Sequence, residues 1–280
     1  MKARRAAEDV SPWLKTLTRL GYAAKGIVYA LVGILAIQII IGTSGQDADT
    51  RSALREIAQQ PFGTFLLWVV GIGLLFYALW RFVQGGLDPD NKGNDAKGII
   101  TRIGYAVSGV IYTGLAFSAF GIVTGTGSGG GGGGGDQSAQ GWTAWLMSQP
   151  FGQWLVGIVG AIVVGVGIYQ IYKGATKKFR EKLKTYEMGN TERTWSIRSG
   201  QIGLIAHGVV QGLIGWFLIQ AAWQAQPQEA RGLGGALATL LQQPYGQWLM
   251  GAVAIGLFAY GVFQFVLARY RQIPAMNTSS

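Results

Sequence analysis

The 280-residue chain has no cysteine and a single histidine. The first absence excludes disulfides, thiolate catalysis and iron–sulfur clusters. The second leaves His207 without companions, so a structural metal site lacks its ligand set and bis-histidine haem ligation within the chain is excluded. Acid is also scarce, with 13 Asp and Glu against 23 Lys and Arg. None of the 13 falls inside the long apolar stretches, and proton relays and sodium sites usually need such a carboxylate. Only seven prolines occur, and none interrupts those stretches, so unwound half-helices of the transporter type are not indicated. No nucleophile–base–acid set is present. The expectation is a protein that is not an enzyme, with no metal and no cofactor. A single axial bond from His207 to a tetrapyrrole is the weakest reading kept.

What the chain has in abundance is uncharged apolar sequence. Six stretches stand out: Leu20–Ile41, Phe62–Gln84, Ile103–Val123, Phe151–Tyr172, Ile202–Trp223 and Tyr245–Ala268. Each has the roughly 20 residues needed to cross about 30 Å of hydrocarbon. Backbone groups in lipid must bond internally, and continuous apolarity without alternation selects helices over barrel strands. The first stretch is too long for a signal-peptide core, so it is expected to be retained. The prediction is an all-α membrane protein of six transmembrane helices.

The chain is also written three times. QPFG (Gln60–Gly63), QPFG (Gln149–Gly152) and QPYG (Gln243–Gly246) each open an even-numbered stretch. TRLGYAAKGIVY (Thr18–Tyr29) returns as TRIGYAVSGVIY (Thr101–Tyr112) and, more faintly, as GLIAHGVVQG (Gly203–Gly212). The unit is a helix pair used three times, with a pseudo-threefold arrangement expected. Repeat 1 spans 18–86, repeat 2 spans 98–175 with a Gly-rich outer loop at 125–136, and repeat 3 spans 197–272. A basic linker covers 176–196 and a polar arm 1–17. Before each QPFG or QPYG a short, partly apolar segment can form a helix in the outer interface. Pro61, Pro150 and Pro244 then suit the first turn of the even helices, and Phe62, Phe151, Tyr245, Trp154 and Trp248 suit headgroup depth. The seven glycines Gly129–Gly135 read as a neutral insertion. KKFREKLK (Lys177–Lys184) reads as a basic extension of helix 4 or a topology-setting charge run.

All but three of the 23 cationic residues, Arg51, Arg55 and Arg231, fall on one side of this layout. The positive-inside rule puts both termini in the cytoplasm, in a bacterial cytoplasmic membrane. The net charge of +10 is thereby a topology signal, with no nucleic-acid partner implied.

Aligning the repeats supplies an internal comparison. Gly21, Gly104 and Gly203 coincide, as do Gly26, Gly109 and Gly208; small residues of this kind let helices pack closely in lipid. Just before the second glycine stand Lys25, Ser108 and His207, and one turn on come Tyr29, Tyr112 and Gln211. In the even helices Arg81, Gln170 and Gln264 coincide, one turn after Tyr77, Val166 and Tyr260. Around a pseudo-threefold axis, Lys25, Tyr29, Ser108, Tyr112, His207 and Gln211, with Arg81, Gln170 and Gln264, form a polar layer towards the cytoplasmic side. Its cations and hydroxyls suit an anion, a lipid phosphate or backbone carbonyls. Against a ligand site stands snorkelling of Lys25 and Arg81 to the interface, with inter-helix hydrogen bonds elsewhere.

The repeated Arg19–Tyr29 and Arg102–Tyr112 segments, with Gln60–Arg81, Gln149–Gln170 and Gln243–Gln264, resemble a bacterial membrane family catalogued as domain-of-unknown-function family 1206. The resemblance implies six transmembrane helices as three tandem pairs and carries no activity. The third copy departs at Gln201-Ile202-Gly203-Leu204, where the others read Arg-x-Gly-Tyr. Functionally the expectation is a non-catalytic, lipid-interacting scaffold or accessory subunit, with anionic membrane lipids and a membrane protein as partners. The alternative is a small transporter or channel for an anionic solute that uses the polar layer.

Overall fold

The computed structural model describes residues 12–42, 48, 50–89, 92–93, 95–125 and 135–272. Residues 1–11 of the arm and 126–134 of the glycine-rich loop lie outside it, as do the side chains of Trp13 and Lys15. The described chain is helical: α1 (Pro12–Ile40), α2 (Thr50–Gln59), α3 (Gly63–Gly86), α4 (Ala96–Thr124), α5 (Gly135–Met147), α6 (Gly152–Ala175), α7 (Asn190–Gln224), α8 (Leu233–Leu241) and α9 (Gly246–Tyr270). Six of these, α1, α3, α4, α6, α7 and α9, are long and apolar enough to cross a membrane. The short α2, α5 and α8 precede the three QPFG/QPYG motifs.

The motif works differently from the sequence expectation. Pro61, Pro150 and Pro244 do not open the helices; they sit in tight turns, and the helices start two residues later. The amide of Gly63 donates to the Gln60 carbonyl at 2.8 Å, with Gly152 and Gly246 doing the same to Gln149 and Gln243 at 2.9 and 2.7 Å. Proline second and a left-handed residue third is the order of a type II turn. The third residue is Phe62, Phe151 or Tyr245, with φ of 61°, 61° and 60°. Each aromatic is 80–84% exposed, so the turn throws a ring outward. The closing glycine is fixed by crowding: a Cβ at Gly63 would lie 2.3 Å from the Ala58 carbonyl oxygen, and one at Gly246 2.0 Å from that of Leu241.

The basic Lys177–Lys184 segment is not a helical extension. Lys177 turns left-handed (φ 58°) and a 3₁₀ turn follows at Lys178–Lys182. The cause is apolar: Phe179 and Leu183 are buried, and Phe179 meets the Phe263 ring edge-on at 5.1 Å. Lys184 then bonds the carbonyl of Tyr270, tying the linker to the end of α9. In the other linker, the Asp88 carboxylate accepts from the amides of Lys92 (2.7 Å) and Gly93 (2.8 Å). Those bonds hold its pKa below the usual carboxylate value.

Among the long helices, α6 packs on α7, α1 on α9 and α3 on α4, with α7–α9 and α1–α3 contacts less extensive. The order of contact is therefore α4, α3, α1, α9, α7, α6. Among the described residues, α4 and α6 are not joined in the same way, although they are the two helices of one repeat.

The glycines show why. A Cβ at Gly21 would stand 2.7 Å from the Cα of Tyr77, and one at Gly203 2.5 Å from the Cα of Tyr260. These glycines seat α1 on α3 and α7 on α9. Gly26, Gly109 and Gly208 likewise face another helix, at Gly261, Phe82 and Gly167. Gly104 is the exception to the expected packing role: nothing lies within 4 Å of its Cβ position. In the closed pairs Ala24 faces Gly73 and Ala206 faces Gly256. The equivalent residues of repeat 2 are Val107 and Ile162, both exposed, and Val166 replaces the seated tyrosine. Branched side chains on both faces keep two helices apart where small ones let them touch. Accordingly only 22% and 17% of the α4 and α6 spans are buried, against 44–50% for the other four.

Candidate functional site

Lys25 lies on α1, about 14 Å along the axis from Thr16 at 1.5 Å per residue. Its side chain does not snorkel. It is 4% exposed, and its ammonium donates to the hydroxyls of Tyr77 on α3 (3.2 Å) and Tyr260 on α9 (3.0 Å). Four tyrosine rings surround Nζ: Tyr77 at 4.9 Å, Tyr112 at 5.1 Å, Tyr260 at 5.2 Å and Tyr29 at 5.4 Å to their centroids. The negative faces of the rings stabilise a buried ammonium, by about 0.5–2 kcal/mol each. The rings brace one another, Tyr77 against Tyr112 at 4.6 Å and Tyr29 against Tyr260 at 5.0 Å, both edge-on.

Two further cationic or basic groups join this box. Arg81, one turn after Tyr77, donates to its hydroxyl at 2.5 Å and to Gln84 Oε1 at 3.0 Å, and lies over the Tyr105 ring. His207 on α7 stacks on Tyr260 with centroids 4.2 Å apart, and its Nε2 meets the Tyr29 hydroxyl at 3.2 Å. Tyr112 in turn donates to Tyr29 at 3.4 Å. His207 is buried, and its Nδ1 has no partner among the described residues.

Of the predicted layer, the structure brings together Lys25, Tyr29, Tyr112, His207 and Arg81. Gln170 and Gln211 bond each other across α6 and α7, apart from the box. Among the described residues no hydrogen bond joins Ser108 to it, and the Oε1 of buried Gln264 has no partner. Tyr77 and Tyr260, central to the box, were not among the predicted site residues. Their signal was available: they hold equivalent positions in repeats 1 and 3, one turn before Arg81 and Gln264.

A count of hydrogens shows what the box can do. An ammonium has three N–H donors, and a phenol has one donor and two lone pairs. Lys25 spends two donors on Tyr77 and Tyr260. The Tyr77 oxygen already accepts from Lys25 and Arg81, so its own hydrogen must point elsewhere. The hydroxyl hydrogen of Tyr260 is in the same position. One Lys25 N–H and the two phenolic hydrogens are thus left over once these bonds are made. No carboxylate lies in the other five membrane-length helices; α7 has Glu192 alone, held by the Tyr270 hydroxyl. The arrangement carries two positive charges, on Lys25 and Arg81, and donors beyond those its bonds use.

Three segments of the chain, residues 20–88, 103–177 and 202–271, match the family model described as Domain of Unknown Function (DUF1206). The chain belongs to this family. It is similar to the uncharacterized protein YxxB of Bacillus subtilis (strain 168), at 36% identity over 266 residues, covering 95% of this chain and 94% of that one. No solved structure matches. The box is built from all three DUF1206 repeats: Lys25, Tyr29, Tyr77 and Arg81 from the first, Tyr112 from the second, His207 and Tyr260 from the third.

Proposed function

We propose that this DUF1206 protein is a non-catalytic, multi-pass membrane protein that binds a small anion between its helices and passes it across the membrane. The carrying observation is the Lys25 box: a buried ammonium, a half-buried guanidinium, spare donors and no carboxylate. A buried ionisable group at membrane depth is a functional feature by default, and here its removal from the interface speaks for a ligand. The rings crowd Nζ, which excludes a bulky headgroup. Odd helices packing on the even helix of the preceding repeat support a pseudo-threefold ring, opened between α4 and α6. The distribution of basic residues supports cytoplasmic termini, and the bacterial relative supports a bacterial cytoplasmic membrane. The test is flux of chloride and nitrate from liposomes holding purified protein. Flux should fall at least about tenfold in Lys25→Met, since a single lost charge-assisted bond is worth about 1.5–3 kcal/mol. Equal flux in wild type and variant would sink the reading.

A second reading, a lipid-interacting scaffold or accessory subunit, is favoured by the collection of basic residues at one end of the bundle. It predicts a membrane protein or specific anionic lipids retained in native-membrane nanodiscs. A bare chain with bulk lipid only would remove it.

A further inference from the structure

Between the first turns of α1 and the last turn of α9 lies a groove of about 530 Å³. Arg19, Leu20 and Ala23 form one wall, Ala268, Arg269 and Tyr270 the other, and Glu187 also lines it. The charges do not cancel. Glu187 is already paired with Lys184 at 2.9 Å. Neither Arg19 nor Arg269 has an ion-pair partner among the described residues; Arg269 lies over the Tyr270 ring at 5.1 Å. Two guanidinium groups therefore face an opening whose one lining carboxylate, Glu187, is shared with Lys184, which leaves a net positive charge. Both sit at the same end of the membrane-length helices, Arg19 just after Thr16 and Arg269 just before Tyr270. That is headgroup depth. Leu20, Ala23 and Ala268 continue the groove as apolar wall, with Leu20 exposed.

We propose that this groove binds one anionic phospholipid, the phosphate held by Arg19 and Arg269 and an acyl chain lying along Leu20, Ala23 and Ala268. Guanidinium groups bind phosphate through paired N–H donors, and the apolar wall gives a lipid a contact that a free phosphate would leave unused. The site is distinct from the Lys25 box. It rests on the lipid-interacting reading and is independent of anion passage.

The experiment is native mass spectrometry of the purified full chain in detergent with added phosphatidylglycerol or phosphatidylcholine. Melting with added inorganic phosphate is followed in parallel. Wild type should retain phosphatidylglycerol over phosphatidylcholine. The Arg19→Gln/Arg269→Gln double variant should lose about 30-fold of that preference, two basic contacts being removed. Should the double variant fail to fold, Arg19→Gln alone, on an exposed turn, should lose about fivefold. Unchanged preference in a folded variant overturns the groove and leaves the lipid-interacting reading intact. No preference in wild type overturns both. Stabilisation by inorganic phosphate equal to that by phosphatidylglycerol overturns the lipid assignment.

Discussion

Gly21 and Gly104 occupy the same place in two copies of one repeat, yet adding a methyl group should act oppositely at the two. In Gly21→Ala the new Cβ meets the backbone of Tyr77, at 2.7 Å from both N and Cα, so no rotamer change can relieve it. Overpacking costs about 1–3 kcal/mol, and here α1 and α3 must separate, which puts the cost at the upper end. Alanine returns up to about 1 kcal/mol as the better helix former. The net loss is about 2 kcal/mol, or a melting temperature lower by roughly 4–8 °C at about 2–4 °C per kcal/mol for a chain of this size. In Gly104→Ala nothing lies within 4 Å, so only the propensity gain remains and melting should hold or rise slightly. Tryptophan fluorescence during melting in detergent reads both. The same substitution should separate function: pushing Tyr77 disturbs the hydroxyl that Lys25 and Arg81 share, so anion flux falls in Gly21→Ala and stays in Gly104→Ala. If Gly104→Ala destabilises as much as Gly21→Ala, then α4 and α6 close like the other pairs and the account of repeat 2 is wrong.

Other consequences are as direct. Tyr260→Phe should lower anion binding and flux severalfold while leaving the His207 stack, because it removes one acceptor for Lys25 and one spare O–H; unchanged flux would remove Tyr260 from the receptor. Gly246→Ala, which drives a Cβ to 2.0 Å from a carbonyl oxygen, should cost more than Gly21→Ala, and an unchanged melt would contradict the crowding argument for the QPYG turn. Because the folded pKa of Asp88 is depressed, the order it gives the loop is complete above the unfolded value of 3.8 and is lost as pH falls through the lower folded value. Amide exchange at Lys92 and Gly93 should thus be slow at pH 5 and unprotected at strongly acid pH, and equal protection at both would refute it. The exposed Lys184–Glu187 pair should matter little: Glu187→Gln is expected to shift stability by less than about 1 kcal/mol in a denaturation melt.

The helices and the threefold repeat were legible because apolar length and recurrence are properties of the sequence itself. The box was legible in part. Aligning copies put Lys25, Tyr29, Tyr112 and His207 at matching helical positions, and helical geometry carried them to one level. What the alignment hid was inequality among copies. Val166 stands where Tyr77 and Tyr260 stand, and treating the three as one position concealed that two of them supply the acceptors for Lys25. The substitution of Val107 and Ile162 for small residues also announced that repeat 2 stays apart, but it becomes meaningful only once the Ala24–Gly73 and Ala206–Gly256 contacts are known. The prolines misled for a different reason. Proline suits both a helix start and the second place of a turn, and the choice was made by the left-handed aromatic and crowded glycine that follow.

Lys25 belongs to the first membrane-length helix, and one of its two hydroxyl partners, Tyr260, belongs to the last. During synthesis α1 reaches the bilayer long before α9 exists. An uncompensated lysine in the middle of an inserted helix costs about 2.5–3.5 kcal/mol. Tyr77 on α3 relieves part of that cost, and the rest persists until α9 docks on α1 and brings Tyr260. The tyrosine box therefore closes only when α9 is in place: a nascent chain without α9 keeps a charged residue short of one of its partners.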